Sequence, residues 1–286
     1  MTFVMTDQHV HDFYQNGYTV FRGIIPPSLI ADLRRVTDRG RQLVRAMKSD
    51  QPQRFQPVAD FEIDQRPFED YMNLPELREA LNRILSPRHI FGGTSVMAVL
   101  IEPEHHPYCL QWHRDLRHLF EDEVEWNATF TSHDNGNQVN CPLWEDSSMW
   151  YVPGSHVRDD LMRERAAFND FPLSGPILDG LSDEARERAC LEYCRGMPGA
   201  IPLHLNAGDF ALYRQMGWHT GNYLPYRKRA TLHDNAWIPE EAQRWSRRRK
   251  ELESLKEVDS RPALFPSSKD SRGSANGAKA VTTAGG

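Results

Sequence analysis

The chain has 286 residues, of which 39% are hydrophobic and 26% charged, values typical of a globular protein that buries a substantial core. No apolar run approaches the roughly 18 residues that a membrane-spanning helix needs, and the amino terminus lacks the features of a secretory signal, so the sequence predicts a cytoplasmic protein without a membrane partner. A formal net charge of -6 provides no field that attracts phosphate backbones, which argues against nucleic acid as a general partner.

Three helices and a strand are predicted in the first 90 residues. A helix begins after Thr6 or Asp7 and leads into a turn at Asn16-Gly17, after which Tyr18–Phe21 has strand composition. A second helix begins at residues 26–28, because Pro suits the first turn and apolar residues follow at helical spacing. A third helix follows residues 73–75 and carries one apolar stripe.

From Thr94 onward the pattern changes to short segments of strand composition separated by turn signals, which predict a β core with helices outside it. The predicted strands are Ser95–Ile101, Tyr108–His113, Gln138–Leu143, Met149–Val152, Ile201–Leu205, Phe210–Tyr213 and Lys228–Leu232. A helical insertion at about 157–198 interrupts them, with helices at Val157–Phe168 and Ser182–Cys194. We expect residues 1–265 to form one domain and the small, polar residues 266–286 to form a disordered tail.

The four cysteines show neither a Cys-x-x-Cys motif nor the spacing of a disulfide framework. They are Cys109, Cys141, Cys190 and Cys194. Because thiols stay reduced in the cytoplasm, we expect all four to be free and structural.

The first chemical motif is His113-x-Asp115. An imidazole and a carboxylate two residues apart on an extended strand project from the same face and can occupy adjacent positions on one metal ion. In a chain with 12 histidines this motif alone is weak support, since short motifs recur by chance. Further downstream, His219 precedes a basic strand that contains Arg227 and Arg229. Two histidines and one carboxylate form the facial triad of non-haem iron oxygenases, and an arginine can hold the far carboxylate of a 2-oxo acid.

These residues belong to a longer series of motifs that resembles the phytanoyl-CoA dioxygenase (PhyH)-like family of Fe(II)- and 2-oxoglutarate-dependent oxygenases. The resemblance covers roughly residues 7–237, and its parts follow in the family's order. They are Asp12–Gly23, Trp112–Leu116, Val152–His156, Ala207–Phe210 and Trp218–Asn222. Five ordered signals are far more specific than one His-x-Asp motif. The resemblance implies a single, mainly β domain with flanking helices, a double-stranded β-helix or jelly roll of the cupin kind.

The resemblance also implies metal ligands, cofactors and a reaction. The family's ligands match His113, Asp115 and His219, which would bind Fe(II), with 2-oxoglutarate and O2 as co-substrates. The implied reaction hydroxylates an unactivated C–H bond of a small-molecule substrate and decarboxylates 2-oxoglutarate to succinate and CO2. Related halogenating enzymes replace the carboxylate with a small residue, so Asp115 favours hydroxylation, while desaturation and ring formation stay open.

A co-substrate arginine is implied as well. The family places it ten or eleven residues beyond the second histidine ligand, and because position 230 is Ala, Arg229 ranks first. Arg227 ranks second, since it would share the same face of a strand. We expect Thr220 and Asn222 to support the ligands or the co-substrate, because metal sites depend on hydrogen bonds that orient the ligands.

Several aromatic residues near these motifs have weaker assignments. His156 is expected in a structural turn. The histidines without a matching motif are assigned no functional role, and among them His118 and His233 rank first as residues that line the pocket. A dry, aromatic pocket and an ordinary core are alternatives for four tryptophans, of which the core is favoured at strand spacing. These tryptophans are Trp112, Trp144, Trp150 and Trp218.

Two other function classes stay open. A Zn(II)-dependent hydrolase could use the same three ligands, although no general base of fixed spacing accompanies them. A non-catalytic jelly-roll binding module is the other, and the intact ligand set and the arginines argue against it. The specificity-bearing segments would be 41–66, 117–137 and 157–198, and the charged residues 117–123 favour a polar or charged small molecule as substrate. The sequence carries no signal for an oligomeric state.

Overall fold

The computed structural model describes residues 3–47, 54–115, 132–134, 136–166, 175–244, 246–247 and 250–251. The chain divides into two units, Met1–Arg244 and Trp245–Gly286, and every element named below belongs to the first. Of the second unit, residues 246–247 and 250–251 are described, and they are helical. The domain boundary at 265 and the tail at 266–286 lie outside the described residues and stay predictions, as does the role of His118.

Helices and strands alternate irregularly along the described residues. The helices are α1 (Asp7–Asn16), α2 (Pro27–Met47), α3 (Arg66–Met72), α4 (Pro75–Asn82), α5 (Met162–Ala166) and α6 (Asp183–Gly196). The strands are β1 (Tyr18–Phe21), β2 (Arg54–Phe55), β3 (Ile90–Phe91), β4 (Ala98–Ile101), β5 (Tyr108–Cys109), β6 (Asn137–Pro142), β7 (Met149–Tyr151), β8 (Ile201–Pro202), β9 (Phe210–Arg214), β10 (His219–Tyr223) and β11 (Ala230–Trp237). Residues 239–244 are helical as well.

The three amino-terminal helices begin where the sequence predicts, at Asp7, Pro27 and Pro75. Helix α1 ends at Gly17, which has a left-handed φ of 82°. A Cβ at this position would lie 2.5 Å from both His156 Nδ1 and Tyr151 Oη, so glycine is also required by space. His156 is fully buried against this turn and therefore has the structural role that the sequence predicts.

Other elements differ from the predictions. Helix α3 and strands β2, β3 and β10 were not expected, and two of these strands have only two residues, too few for a periodic pattern. The helix predicted from Val157 begins instead at Met162, because Ser155–Val157 forms a 3-10 turn. Helix α6 matches its prediction, and Ser182 Oγ accepts a hydrogen bond from the backbone N–H of Ala185 at its start.

The strands form two antiparallel sheets. The larger sheet has the order β1-β9-β6-β11-β4-β2, with β3 also pairing with β11, and the smaller sheet has the order β5-β10-β7-β8. All pairs are antiparallel, and neighbours in space are distant in sequence, as in a jelly roll. The expected fold, mainly β with flanking helices, is thus confirmed.

Residues of the larger sheet alternate between two environments. One face carries apolar residues that pack against α1, α2 and α4, among them Val139, Cys141, Leu212 and Leu232. The other face carries polar residues that line a cavity, among them Gln138, Asn140, Tyr213 and His233. Because alternate residues of a strand point to opposite faces, the apolar core and the polar cavity share the same strands.

A second core lies beneath α6 at the smaller sheet. Trp112, Trp150 and Trp218 pack there with Cys194 and Met197, so these three tryptophans belong to a packed core. Trp144 lies elsewhere, and the Arg34 guanidinium sits 3.9 Å from the centre of its ring.

The four cysteines are free thiols, as predicted. In the part of the chain that the structure describes, no helix has both the length and the apolar character to cross a membrane.

Candidate metal centre

His113, Asp115 and His219 come together at a cavity lined by residues of both sheets. One potential ligand atom from each lies within 4.8 Å of the other two. His113 Nε2 is 3.5 Å from Asp115 Oδ1, and His219 Nε2 is 3.8 Å from Asp115 Oδ2. Nitrogen and carboxylate donors at these separations can bind the same metal ion.

Hydrogen bonds determine which nitrogen of each imidazole is available. His113 Nδ1 lies 2.7 Å from the carbonyl oxygen of Gln111, and His219 Nδ1 lies 2.9 Å from that of Gly217. A carbonyl oxygen only accepts, so both Nδ1 atoms must carry the proton. Both Nε2 atoms then present a lone pair toward Asp115, the tautomer that a metal ligand needs.

His219 is the more deeply buried of the two histidines. Its pKa is lowered to about 4, chiefly by burial and then by the nearby His113, while Asp115 acts in the opposite direction. A neutral imidazole at ordinary pH is ready to bind a metal ion without first losing a proton.

The two histidines are held together by their backbones. His113 and His219 form an antiparallel bridge, and the next pair along these chains is Cys109 with Asn222. Residues 110–112 therefore face only residues 220–221, so the segment before His113 carries one extra residue, a β-bulge. Thr220 Oγ1 donates a hydrogen bond of 2.6 Å to the carbonyl of Leu110 and thereby fastens the bulge.

Asp115 is oriented by two residues of the larger sheet. Gln138 Nε2 donates a hydrogen bond of 2.8 Å to Asp115 Oδ2, and Tyr213 Oη donates one of 2.8 Å to Gln138 Oε1. This chain of hydrogen bonds also fixes the amide orientation of Gln138, because its oxygen must face the phenol. Neither Gln138 nor Tyr213 was predicted from the sequence.

Arg229 lines the same cavity of about 190 Å³ as the three candidate ligands. Its side chain is 8% exposed, and its Nε donates a hydrogen bond of 2.7 Å to Asp146 Oδ2. Burial alone would lower the pKa of Arg229, but Asp146 and then Tyr223 raise it above its usual value. The guanidinium is therefore a permanent cation at the wall of the metal cavity.

The expectation that Arg227 shares a strand face with Arg229 does not hold. Strand β11 begins only at Ala230, and residues 225–227 form a turn, so strand alternation does not relate the two arginines. Arg227 lines a larger cavity of about 430 Å³, which Arg229 also lines, but it does not line the cavity that contains the candidate ligands.

Thr220 and Asn222 have different surroundings. Thr220 lines the metal cavity and is 2% exposed. Asn222 lies at the larger cavity, where its backbone N–H donates to Ser148 O. Thr220 thus lies beside the candidate ligands, whereas Asn222 lies at a cavity that Arg229 also lines.

His233 and Arg54 complete the polar wall of the metal cavity. Burial lowers the pKa of His233 to about 4, and Arg54 contributes in the same direction. His233 Nδ1 lies 2.8 Å from Asn140 Oδ1, which leaves its Nε2 as an acceptor. His233 was expected at the pocket, whereas Arg54 lies on a two-residue strand that sequence reasoning missed.

The sequence profile described as phytanoyl-CoA dioxygenase (PhyH) matches residues 13–222, which include all three candidate ligands. The chain belongs to the PhyH family of Fe(II)- and 2-oxoglutarate-dependent oxygenases. A comparison with curated proteins finds no match.

Solved structures with the same fold support the PhyH architecture. HygX from Streptomyces hygroscopicus, with nickel and 2-oxoglutarate bound, has a TM-score of 0.55 and 15% identity over 82% of this chain and 88% of HygX. AviO1 from Streptomyces viridochromogenes Tue57 has a TM-score of 0.53 and 14% identity over 82% of this chain and 95% of AviO1. SnoK from nogalamycin biosynthesis, a non-heme α-ketoglutarate-dependent carbocyclase, has a TM-score of 0.51 and 13% identity over 81% and 83% of the two chains.

Proposed function

We propose that this PhyH protein is an Fe(II)- and 2-oxoglutarate-dependent dioxygenase that hydroxylates an unactivated C–H bond of a small molecule in the cytoplasm. One observation carries the proposal. Two imidazole Nε2 atoms and a carboxylate converge within 4.8 Å, at a cavity whose wall also contains a buried arginine. This donor set fits the facial triad, in which three protein ligands leave coordination sites for co-substrate and O2.

Each residue of the cavity has a distinct task in this proposal. His113, Asp115 and His219 would hold the iron, and Gln138 would keep the carboxylate of Asp115 in place through its hydrogen bond to Oδ2. Arg229 would bind the far carboxylate of 2-oxoglutarate, since a guanidinium matches a carboxylate with two parallel hydrogen bonds. Iron with 2-oxoglutarate and O2 supplies the oxidising power, with succinate and CO2 as co-products.

The presence of Asp115 supports hydroxylation as the outcome. A carboxylate ligand occupies the position that halogenating relatives leave to a small residue. The same fold serves other outcomes in SnoK, a carbocyclase, and in SnoN, an epimerase whose structure contains Fe3+, α-ketoglutarate and nogalamycin RO and has a TM-score of 0.50. Product analysis is therefore part of the test.

The decisive experiment is an anaerobic titration of Fe(II) and 2-oxoglutarate into the apoprotein. Bidentate chelation of a 2-oxo acid to Fe(II) produces a weak visible charge-transfer band, which we expect to appear and to saturate. Admission of O2 should then release succinate, and a substrate screen should give a product heavier by one oxygen atom. Folded, iron-loaded protein without the band contradicts the proposal. Zinc binding without succinate would favour a hydrolase, and no metal binding at all would favour a binding module.

A further inference from the structure

Asp146 lies behind the proposed co-substrate arginine and is 7% exposed. Its Oδ2 accepts hydrogen bonds from Arg229 Nε at 2.7 Å and from Thr231 Oγ1 at 2.5 Å. Its Oδ1 accepts from the backbone N–H of Ser148 at 2.8 Å. The backbone of Asp146 is fixed as well, since it exchanges two hydrogen bonds of 2.9 Å with Leu205. The carboxylate is therefore rigid in position and orientation.

The backbone of Arg229 has its own support. Its N–H donates a hydrogen bond of 2.8 Å to Glu102 Oε2, and its carbonyl accepts one of 2.6 Å from Arg41 Nη2. These two contacts place the start of the side chain but leave its torsions undetermined. The direction of the guanidinium depends on the contact of Nε with Asp146 and on the ring of Tyr223, whose centre lies 4.9 Å from Arg229 Cζ.

The planar geometry of arginine makes the contact at Nε informative. A guanidinium presents its N–H donors in a fixed fork, so a partner that holds Nε determines where the two Nη atoms point. Arg229 lines the metal cavity, and the Nη atoms carry the remaining donors. Preorganisation of this kind strengthens binding because the ligand does not have to order the side chain.

We propose that Asp146 is a positioning residue that aims the guanidinium of Arg229 at the far carboxylate of the co-substrate and thereby selects 2-oxo acids with two carboxylates. This inference rests on the proposed function, in which Arg229 binds 2-oxoglutarate. Asp146 does not line the cavity of the candidate ligands, so its role in this proposal is exerted through Arg229.

The charge of Asp146 and its hydrogen bond to Arg229 have opposite expected effects on the binding of 2-oxoglutarate. Asp146 is ionised, because burial raises its pKa but Arg229, Thr231 and Ser148 together lower it below the usual value. A negative charge beside Arg229 weakens the attraction between the guanidinium and an anion. If charge alone mattered, removal of Asp146 would tighten binding of 2-oxoglutarate, whereas positioning predicts weaker binding.

The test compares two 2-oxo acids on the same iron-loaded protein. 2-Oxoglutarate and 2-oxobutanoate share the end that chelates the metal, but only the first has a far carboxylate. Their dissociation constants are measured anaerobically from the charge-transfer band for wild type, Asp146→Ala, Asp146→Asn and Thr231→Val. Asp209→Asn serves as control. Asp209 is also a buried carboxylate paired with an arginine, Arg22, but it lines neither cavity.

We expect Asp146→Ala to raise the dissociation constant of 2-oxoglutarate by about tenfold, the scale of one hydrogen bond to a charged group. The dissociation constant of 2-oxobutanoate should stay within about twofold of the wild-type value. Asp146→Asn and Thr231→Val should also weaken the binding of 2-oxoglutarate selectively, but by a smaller factor. The control variant should change the dissociation constant of neither acid. If Asp146→Ala fails to fold because Arg229 is left buried and unpaired, the two milder variants carry the same comparison.

Equal weakening of both acids, or unchanged or tighter binding of 2-oxoglutarate, would overturn the inference. Failure of the proposed function gives a different result. In that case wild type shows no charge-transfer band with either acid. A band with both acids and no selective loss in the variants contradicts only the role of Asp146.

Discussion

His113 and His219 exchange both backbone hydrogen bonds across an antiparallel bridge, with N···O distances of 3.1 and 3.0 Å, and their imidazole rings lie 4.3 Å apart. The spacing of these two candidate ligands is therefore set by the backbone. Asp115 is anchored in the same way, since its N–H donates to Gln215 O at 2.9 Å. A side-chain substitution at a ligand should consequently remove metal binding while the backbone stays in place.

Asp115→Ala should abolish succinate formation while the fold is retained. Two imidazoles without the carboxylate leave the metal with neither its anionic ligand nor its full donor set. Succinate release and circular dichroism of wild type and variant provide the measurement, with Asp70→Ala, an exposed carboxylate on α3, as control. Near-wild-type turnover in a well-folded variant would contradict the ligand assignment.

Gln138→Leu should weaken metal binding by about tenfold or more, the usual cost of losing a hydrogen bond that orients a metal ligand. Tyr213→Phe should have a smaller effect, because it acts on Asp115 only through Gln138. Competition with a chromophoric chelator measures both constants. Gln8→Leu, at an exposed glutamine of α1, is the control, and a larger effect of Tyr213→Phe than of Gln138→Leu would refute the proposed order.

Arg229→Ala should raise the KM for 2-oxoglutarate by about tenfold to a hundredfold, the scale of hydrogen bonds between charged groups. Arg227→Ala should change the KM by less than about twofold, since exposed charges are largely solvated and Arg227 does not line the cavity of the candidate ligands. Initial rates of succinate formation at varied 2-oxoglutarate give both values. The reverse ranking would show that Arg227 is the co-substrate residue.

Asp234 should make the protein less stable as the pH rises toward neutrality. Burial raises the pKa of this carboxyl to about 7, although it accepts backbone hydrogen bonds from Asn235, Gly93 and Gly92, which lower it. The folded protein then binds this proton more tightly than the unfolded chain does, so the stabilisation is complete below about pH 4 and is lost through about pH 7.

Urea unfolding of wild type and Asp234→Asn at several pH values tests this dependence. The free energy of unfolding of the wild type should fall with rising pH by as much as about 4 kcal/mol from this group alone. The variant cannot titrate at this position and should show a flatter dependence. Parallel curves for the two proteins would rule out Asp234 as the titrating group.

Part of the site follows from local sequence rules. His113 and Asp115 share a face because they are two residues apart in extended chain, and the order of the surrounding motifs added His219. The position of Gln138 could be predicted only in part from the sequence. Strand alternation places it on the same face as Asn140, but the pairing of β6 with β9 and β11 decides that this face looks into the cavity.

Asp146 could not have been identified from the sequence. It lies 83 residues from Arg229 along the chain, and only its bridge with Leu205 and the pairing of β6 with β11 bring the two together. Arg227 illustrates the opposite error, in which a periodic rule was applied to residues that precede the strand. In both cases the pairing of strands that are distant in the sequence decides where the residue lies, and this pairing leaves no signal in the local sequence.

The extra residue in the bulge before His113 shifts the alternation of side chains between the two faces of this segment by one residue. Cys109 packs toward α6, yet Leu110 and His113, three residues apart, both line the metal cavity, which regular alternation forbids. Removing one residue between Cys109 and His113 would restore regular alternation along this segment and, with His113 still paired to His219, would leave the imidazole facing the cavity. The direction of the imidazole is therefore set by its pairing with His219 and not by the number of residues that precede it, so a deletion in the bulge should be far less damaging than removal of Arg114, which would place the imidazole and the carboxylate on opposite faces.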